Sequence, residues 1–168
     1  MLGRLRSAVL TWPDRNGWAQ FGREAVWLVP LLLILGAFGD LLTWRPRFDA
    51  QMARLAALAI IVPALGEELL FRAALLPRPG SDRAWTGPVL VSAGAFVLWH
   101  PPQALLFGPH WAKIVLDPWF LACVAGVGVA SARLYLRTGS IWPSVLLHWL
   151  VIVAWKAVLG GPSPWVSD

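Results

Sequence analysis

The stretch Gly66-Glu67-Glu68-Leu69-Leu70-Phe71-Arg72 places two carboxylates and a guanidinium inside an otherwise apolar run that extends from Leu55 to Leu76. One ionisable residue at the middle of a bilayer-spanning helix costs at least ~3 kcal/mol on insertion scales. Three such residues so close together therefore need partners or a function. Two interpretations stay open from this stretch alone: both glutamates serve only to balance Arg72, or one of them is free for chemistry.

The composition of the whole chain supports a membrane environment for that stretch. Of 168 residues, 58% are hydrophobic and 14% are charged, against about 25% charged residues in an average soluble domain. The mean hydropathy is +0.63. The net charge is +5, but the arginines are scattered at segment ends, which is typical of topology determinants facing anionic lipid and not of a nucleic-acid surface. The single cysteine, Cys123, excludes an intrachain disulfide.

The apolar runs predict an all-α fold, a polytopic membrane helix bundle of about five transmembrane helices. Pro63 falls inside the second span, where we expect it to kink the helix beside the glutamates. Pro101 and Pro102 should bend or break the third span just after His100. The five spans are expected at about residues 25–44, 49–76, 86–107, 116–136 and 141–159.

The chain divides into three regions on this pattern. They are a basic N-terminal segment (1–24) expected to form an interfacial amphipathic helix, the transmembrane helical domain (25–160) and a short C-terminal tail (161–168). With five spans, eight basic residues fall on the N-terminal side of the membrane and five on the other. The positive-inside rule then predicts a multi-pass protein of the cytoplasmic (inner) membrane with its N-terminus in the cytoplasm.

Helical geometry predicts which of the buried polar residues can meet. At 1.5 Å per residue, Glu67, His148 and His100 lie about 15, 12 and 20 Å deep from one membrane face, so they share a layer. Glu68 and Arg72 are four residues apart, on one helix face, where they can form an ion pair. Glu67 points about 100° away and is the carboxylate left free for chemistry.

The histidines and their neighbours also have simpler explanations. A lone intramembrane histidine is equally well explained as a packing residue that is hydrogen-bonded across helices. His110, in a loop, is expected to be solvated. Trp99 and Trp149 directly adjoin His100 and His148, but neighbouring helix positions face different ways, and we expect both indoles to pack between helices.

Three motifs, in this order along the chain, resemble the CPBP family of intramembrane proteases: Glu67-Glu68-x-x-x-Arg72, then Phe96-x-x-x-His100, then His148. That family includes the type II CAAX prenyl endopeptidases and the abortive-infection or bacteriocin-processing proteins. The resemblance extends over about residues 55–155. The first motif alone is short, and the order and spacing of all three make the combination specific.

The resemblance implies a bacterial membrane-embedded endopeptidase that hydrolyses a peptide bond in a membrane-associated peptide or protein. By the resemblance, Glu67 activates the attacking water with help from His100, and His148 stabilises the oxyanion. Glu68, Arg72 and Phe96 would support these three. The family usually has an asparagine four residues after the last histidine, where this chain has Ile152.

Isoleucine cannot donate a hydrogen bond, and loss of one oxyanion donor typically costs ~3 kcal/mol, a hundredfold or more in rate. The alternative is therefore a catalytically weak or inactive membrane scaffold that retains the polar core. A proton or ion pathway is a weaker third possibility, because only one polar layer is visible.

The expected partners are the lipid bilayer and a peptide or protein substrate, with no nucleic acid. No cofactor is predicted, although two glutamates and two histidines could instead ligate Zn²⁺. The chain contains no HExxH motif, and Glu68 is better used by Arg72. These points favour a glutamate that works without metal, while the sequence leaves metal-assisted water activation open.

Overall fold

The computed structural model describes residues 1–77, 85–107 and 110–162, and the regular structure in these ranges is entirely helical. The predicted all-α fold class is confirmed. Most of the predicted C-terminal tail and the side chain of His110 lie outside what the structure describes. The α-helices are α1 (Leu2–Leu10), α2 (Arg15–Phe38), α3 (Ala50–Ala59), α4 (Gly66–Glu68), α5 (Thr86–Phe107), α6 (Pro118–Thr138) and α7 (Trp142–Ala157).

Three of these helices are long and apolar enough to cross a membrane, namely α2, α5 and α6, and α7 is apolar but shorter. These helices fit the predicted multi-pass bundle. The bounds of the first span differ from the prediction, since α2 begins at Arg15 and ends at Phe38. It begins early because the Asp14 side chain accepts a hydrogen bond from the Gly17 N–H (2.8 Å) and so caps the helix.

The N-terminal helix α1 packs on the junction between α6 and α7. Its buried Ala8 accepts a hydrogen bond through its carbonyl oxygen from the Ile141 N–H (3.1 Å). The Trp142 indole N–H donates to the Val9 carbonyl (2.9 Å). Because α2 starts at Arg15, helix continues across the expected junction between residues 24 and 25.

The second predicted span is not one continuous helix. Helix α3 begins with an Asp49 cap and ends at Ala59, and Val62 then has extended backbone angles (φ −131°, ψ 116°). The cause is local, since the ring of Pro63 disfavours helical geometry at the residue before it. The predicted kink is therefore present. After it, α4 continues into π-helical turns over Leu69–Ala74, and this second half carries both glutamates and Arg72.

The third span, where a bend or a break after His100 was predicted, is not broken. Helix α5 passes through Pro101 and Pro102 and ends at Phe107. Helices in lipid tolerate proline because side chains and small local adjustments satisfy the backbone groups that it frees. As a result, residues on both sides of the prolines, including Gln103, share one helix.

Helix α6 is the central element against which the other long helices pack. A Cβ atom on Gly126 would lie 3.3 Å from the side chains of Leu28 and Leu31, so α2 approaches closely there. A Cβ atom on Gly128 would lie 3.2 Å from Ala93 of α5. Small residues permit this close approach of helices in a membrane, and here it brings α2 and α5 against α6.

Candidate active site

Glu68 and Arg72 form the ion pair that their spacing predicts. The Arg72 Nε atom lies 3.0 Å from Glu68 Oε2, and Arg72 Nη2 donates to Glu68 Oε1 (3.3 Å). Both side chains are 0% exposed. Removing one partner of such a pair would leave an uncompensated buried charge, which costs ~3–5 kcal/mol.

Two groups of α5 complete the surroundings of Arg72. Its Nη1 donates to the Ser92 hydroxyl (3.2 Å), and that hydroxyl donates in turn to the Phe71 carbonyl (2.8 Å). The guanidinium also lies over the Phe96 ring, with Cζ 4.7 Å from the ring centroid, a cation–π geometry. Arg72 thus attaches the glutamate helix to α5.

Phe96 is a buried aromatic residue that contacts Arg72, His100 and His148. It is 1% exposed. Its ring makes edge contacts with the rings of His100 (4.9 Å between centroids) and His148 (5.5 Å). One aromatic side chain therefore positions both histidines relative to Arg72.

His148 is oriented by Glu68. Its Nδ1 lies 3.1 Å from Glu68 Oε1, and because a carboxylate only accepts, Nδ1 is the atom that carries hydrogen. Neutral His148 then has a lone pair on Nε2, which lies 4.0 Å from Glu67 Oε2. Glu68 therefore has a second task besides balancing Arg72, which sequence spacing did not indicate.

Glu67 has one engaged oxygen and one available oxygen. Oε1 accepts hydrogen bonds from the Trp99 indole N–H (3.2 Å) and the Gln103 amide (3.1 Å). Oε2 is buried and has no hydrogen-bond partner among the described residues. The 4.0 Å to His148 Nε2 is too long for a direct hydrogen bond, so the Oε2 lone pairs are free to accept from a third group.

His100 also packs against the Phe96 ring, but its hydrogen bond goes to the backbone and not to a glutamate. Its Nδ1 donates to the Phe96 carbonyl (2.8 Å), which makes Nε2 the lone-pair atom of the neutral ring. The ring also contacts Phe120 (6.0 Å between centroids). Within the described part of the chain, no hydrogen bond or ion pair joins His100 to Glu67, so the structure shows no direct polar contact between these two predicted partners.

Sequence reasoning missed the polar partners of Glu67. Trp99 was expected to pack between helices, yet its indole donates to Glu67 and is 39% exposed. Trp99 and Gln103 are four residues apart, hence on one face of α5, and a glutamine inside an apolar helix was the available signal. The prediction for Trp149 was right, because its indole N–H donates across to the Ala56 carbonyl (2.7 Å).

Ile152 packs against a cluster of buried apolar residues. It packs against three buried residues of α3: Met52, Leu55 and Ala59. The isoleucine therefore joins α7 to α3 at the position where the resemblance implies a donor. Any N–H donor for an oxyanion must come from other residues.

The donor set of the site does not suit a bound metal. Among the side chains that the structure describes, which exclude that of His110, no three His, Cys, Asp or Glu converge in a way that could hold a metal ion. Glu68 is engaged by Arg72 and His148. The prediction that no cofactor is needed stays a prediction.

A cluster of two glutamates, an arginine and two histidines among long apolar helices indicates a functional site in a membrane protein. Residues 49–154 match the family described as type II CAAX prenyl endopeptidase Rce1-like. The match includes well over half of the chain, and the chain belongs to this family of CPBP proteases. No curated protein and no solved structure matches the chain.

Family membership confirms the resemblance carried by the three motifs. It makes the chain a membrane-embedded endopeptidase of the CAAX type, a class that acts on peptide or protein substrates. Together with the apolar helices it also supports a multi-pass membrane protein.

Proposed function

We propose that this endopeptidase hydrolyses a peptide bond with a water molecule activated by Glu67. One observation carries the proposal: Oε1 of Glu67 is held by Trp99 and Gln103, which leaves buried Oε2 free to accept while it faces His148 Nε2. A carboxylate fixed through one oxygen presents the other in a defined direction. This arrangement suits a general base.

In the proposed reaction, Glu67 Oε2 takes a proton from water, and the resulting hydroxide adds to the carbonyl carbon of the scissile peptide bond. The carbonyl oxygen becomes an oxyanion. When the C–N bond breaks, Glu67 returns the proton to the departing nitrogen, so the products are a carboxyl group and an amine. The glutamate thus acts first as a base and then as an acid.

His148 is proposed to stabilise the oxyanion from Nε2 in its protonated form. In that form the Glu68 carboxylate accepts from Nδ1 and supplies the compensating charge. Ile152 supplies no donor, so we assign the oxyanion to His148 alone.

His100 is proposed to position the attacking water through its Nε2 lone pair. Its Nδ1 hydrogen is committed to the Phe96 carbonyl, so the ring can only accept on its other side while neutral. Since no hydrogen bond joins His100 to Glu67 among the described residues, we assign His100 an action through water. Phe96 packs against both imidazole rings and so keeps His100 and His148 in separate positions.

The central test is Glu67→Gln in the full chain reconstituted in lipid vesicles. We expect loss of peptide cleavage with the helical circular dichroism unchanged, because an amide cannot take a proton from water. Asp40→Asn is the matched control. Asp40 is exposed, lies outside the site and has a positive φ (50°) that asparagine also tolerates. Full activity in Glu67→Gln would refute the proposed base.

The second candidate is a weakly active or inactive scaffold, favoured by the apolar packing of Ile152 on α3. It predicts that the unmodified chain cleaves no membrane peptide but retains a specific protein partner, and that Glu67→Gln leaves this partner bound. Cleavage by the unmodified chain that is lost in Glu67→Gln would exclude it.

We further propose a bacterial inner-membrane location with the N-terminus in the cytoplasm, on the basis of the eight-to-five distribution of basic residues. A protease-sensitive tag added before Met1 tests this topology. The tag should resist protease added to intact spheroplasts and be removed after lysis. Removal from intact spheroplasts would reverse the orientation.

A further inference from the structure

A polar cavity opens between α2 and α6, and none of the residues in the proposed mechanism lines it. Its volume is about 690 Å³. Three arginines line it, Arg23 from α2 and Arg133 and Arg137 from α6, together with Glu24. These side chains carry a net charge of +2, since three guanidinium groups face one carboxylate.

Glu24 is the buried anchor of this cavity. It is 1% exposed, and its Oε1 accepts from Arg133 Nε (3.0 Å) and Arg137 Nη1 (2.9 Å). Its Oε2 accepts from the Trp27 indole N–H (2.7 Å). With both oxygens engaged, the carboxylate holds two guanidinium groups in place and does not itself present an unpaired charge to a ligand.

The arginines have donors left over. Arg133 uses only Nε, Arg137 uses only Nη1, and no other group that the structure describes accepts from their remaining N–H groups. Their side chains are 40% and 30% exposed. Arg23 is exposed and makes no ion pair within the described residues. The cavity therefore offers planar N–H pairs, which match the oxygens of a phosphate in a bidentate way.

The cavity lies where a bilayer meets water. Glu24 directly precedes the apolar part of α2, and Arg137 lies in the last turn of α6. Two indoles, Trp27 and Trp85, line the same cavity, and tryptophan is enriched at the level of lipid headgroups. Basic pockets between transmembrane helices bind anionic headgroups in this position.

We propose that this cavity binds the phosphate of an anionic phospholipid headgroup, with Arg23, Arg133 and Arg137 as the donors. Glu24 orients the latter two, and the indoles border the glycerol and upper acyl region. The bound lipid would bridge α2 and α6.

The test is a calorimetric titration of the purified full chain in detergent with short-chain phosphatidylglycerol. Parallel titrations use phosphatidylcholine of the same chain length and inorganic phosphate. We expect phosphatidylglycerol to bind at least about tenfold more tightly than either. Arg133→Gln should weaken its binding about tenfold, and Arg23→Gln about fivefold.

The matched control is Arg15→Gln, which removes the same charge from an exposed position of α2 outside the cavity. It should change the affinity less than about twofold. Arg23 takes no part in the Glu24 cluster, so Arg23→Gln tests the proposal even if Arg133→Gln fails to fold. Equal binding of phosphatidylcholine, equal binding of inorganic phosphate, or equal weakening by Arg15→Gln and Arg23→Gln would each overturn the proposal.

Discussion

Two buried carboxylates, Glu68 and Glu24, are each neutralised by arginine, and their surroundings differ in one decisive way. Glu68 and Arg72 are both 0% exposed, and the remaining carboxylate contact goes to His148. Glu24 is equally buried, but its arginines stay 40% and 30% exposed. The first cluster is directed inward, toward an imidazole that can take part in chemistry. The second is directed outward, and its guanidinium groups can reach the headgroup region.

The largest expected difference between the clusters is in stability. Arg72→Met should lower the free energy of unfolding by about 3–5 kcal/mol, because Glu68 loses its buried countercharge. Arg133→Met should cost at most about 1 kcal/mol, since Glu24 keeps Arg137 and the lost side chain is partly solvated. Reversible denaturation in mixed micelles measures both. Equal losses would show that exposure of the arginine does not separate the two clusters.

The same contrast explains how far the sequence could predict the structure. The Glu68–Arg72 pair is local, four residues apart, and the kink at Pro63 is also local, so both follow from helix geometry. The contacts of Glu24 join residues 109 and 113 positions apart. Nothing in local periodicity carries that information, and the Glu24 cluster was not predicted.

The candidate active site likewise combines features that local sequence predicts with contacts between residues far apart in the chain. The order of the motifs predicts Glu67, His100 and His148 as site residues, and this stays a prediction, while the donors on Glu67 Oε1 come from residues 32 and 36 positions away. Trp99 was assigned to packing because adjacency to His100 gave no direction for its indole. Helix α5 also continues through Pro101 and Pro102 against the expectation from local proline chemistry, since packing in a bundle compensates for the lost hydrogen bond. Long-range packing therefore decided what local rules left open.

The next largest difference should be in activity. Glu68→Gln should lower kcat by about ten- to hundredfold, because a hydrogen bond between His148 and a charged group contributes ~1.5–3 kcal/mol. Glu68 acts through His148, so Glu68→Asp should restore part of the rate, while KM should change little in either variant. Glu24→Gln should leave kcat within about twofold. Cleavage kinetics in vesicles compare the three variants, and a similar loss in Glu24→Gln would mean that both clusters serve only the fold.

A smaller effect on kcat/KM is expected from substituting two glutamines, Gln103 beside Glu67 and Gln20 in the Glu24 cluster. Gln103→Leu removes a donor from Glu67 Oε1 and should reduce kcat/KM about tenfold. Gln20→Leu removes the acceptor of an Arg137 hydrogen bond (3.0 Å) in the Glu24 cluster and should leave kcat/KM unchanged. Rates for both are measured with the same peptide. Unchanged kcat/KM in Gln103→Leu would remove Gln103 from the proposed site.

The smallest expected effect is that of removing divalent metals. In both clusters arginine supplies the countercharge. Glu68, which could otherwise act as a metal ligand together with Glu67 and His148, is already engaged by Arg72 and His148. Glu67 and His148 alone provide fewer protein ligands than the three that a catalytic zinc site normally has. We therefore expect dialysis against a chelator to leave kcat unchanged, with elemental analysis showing less than one metal ion per chain. Stoichiometric zinc, together with activity that is lost on chelation and restored by added zinc, would replace the proposed metal-free base with a metal-bound water.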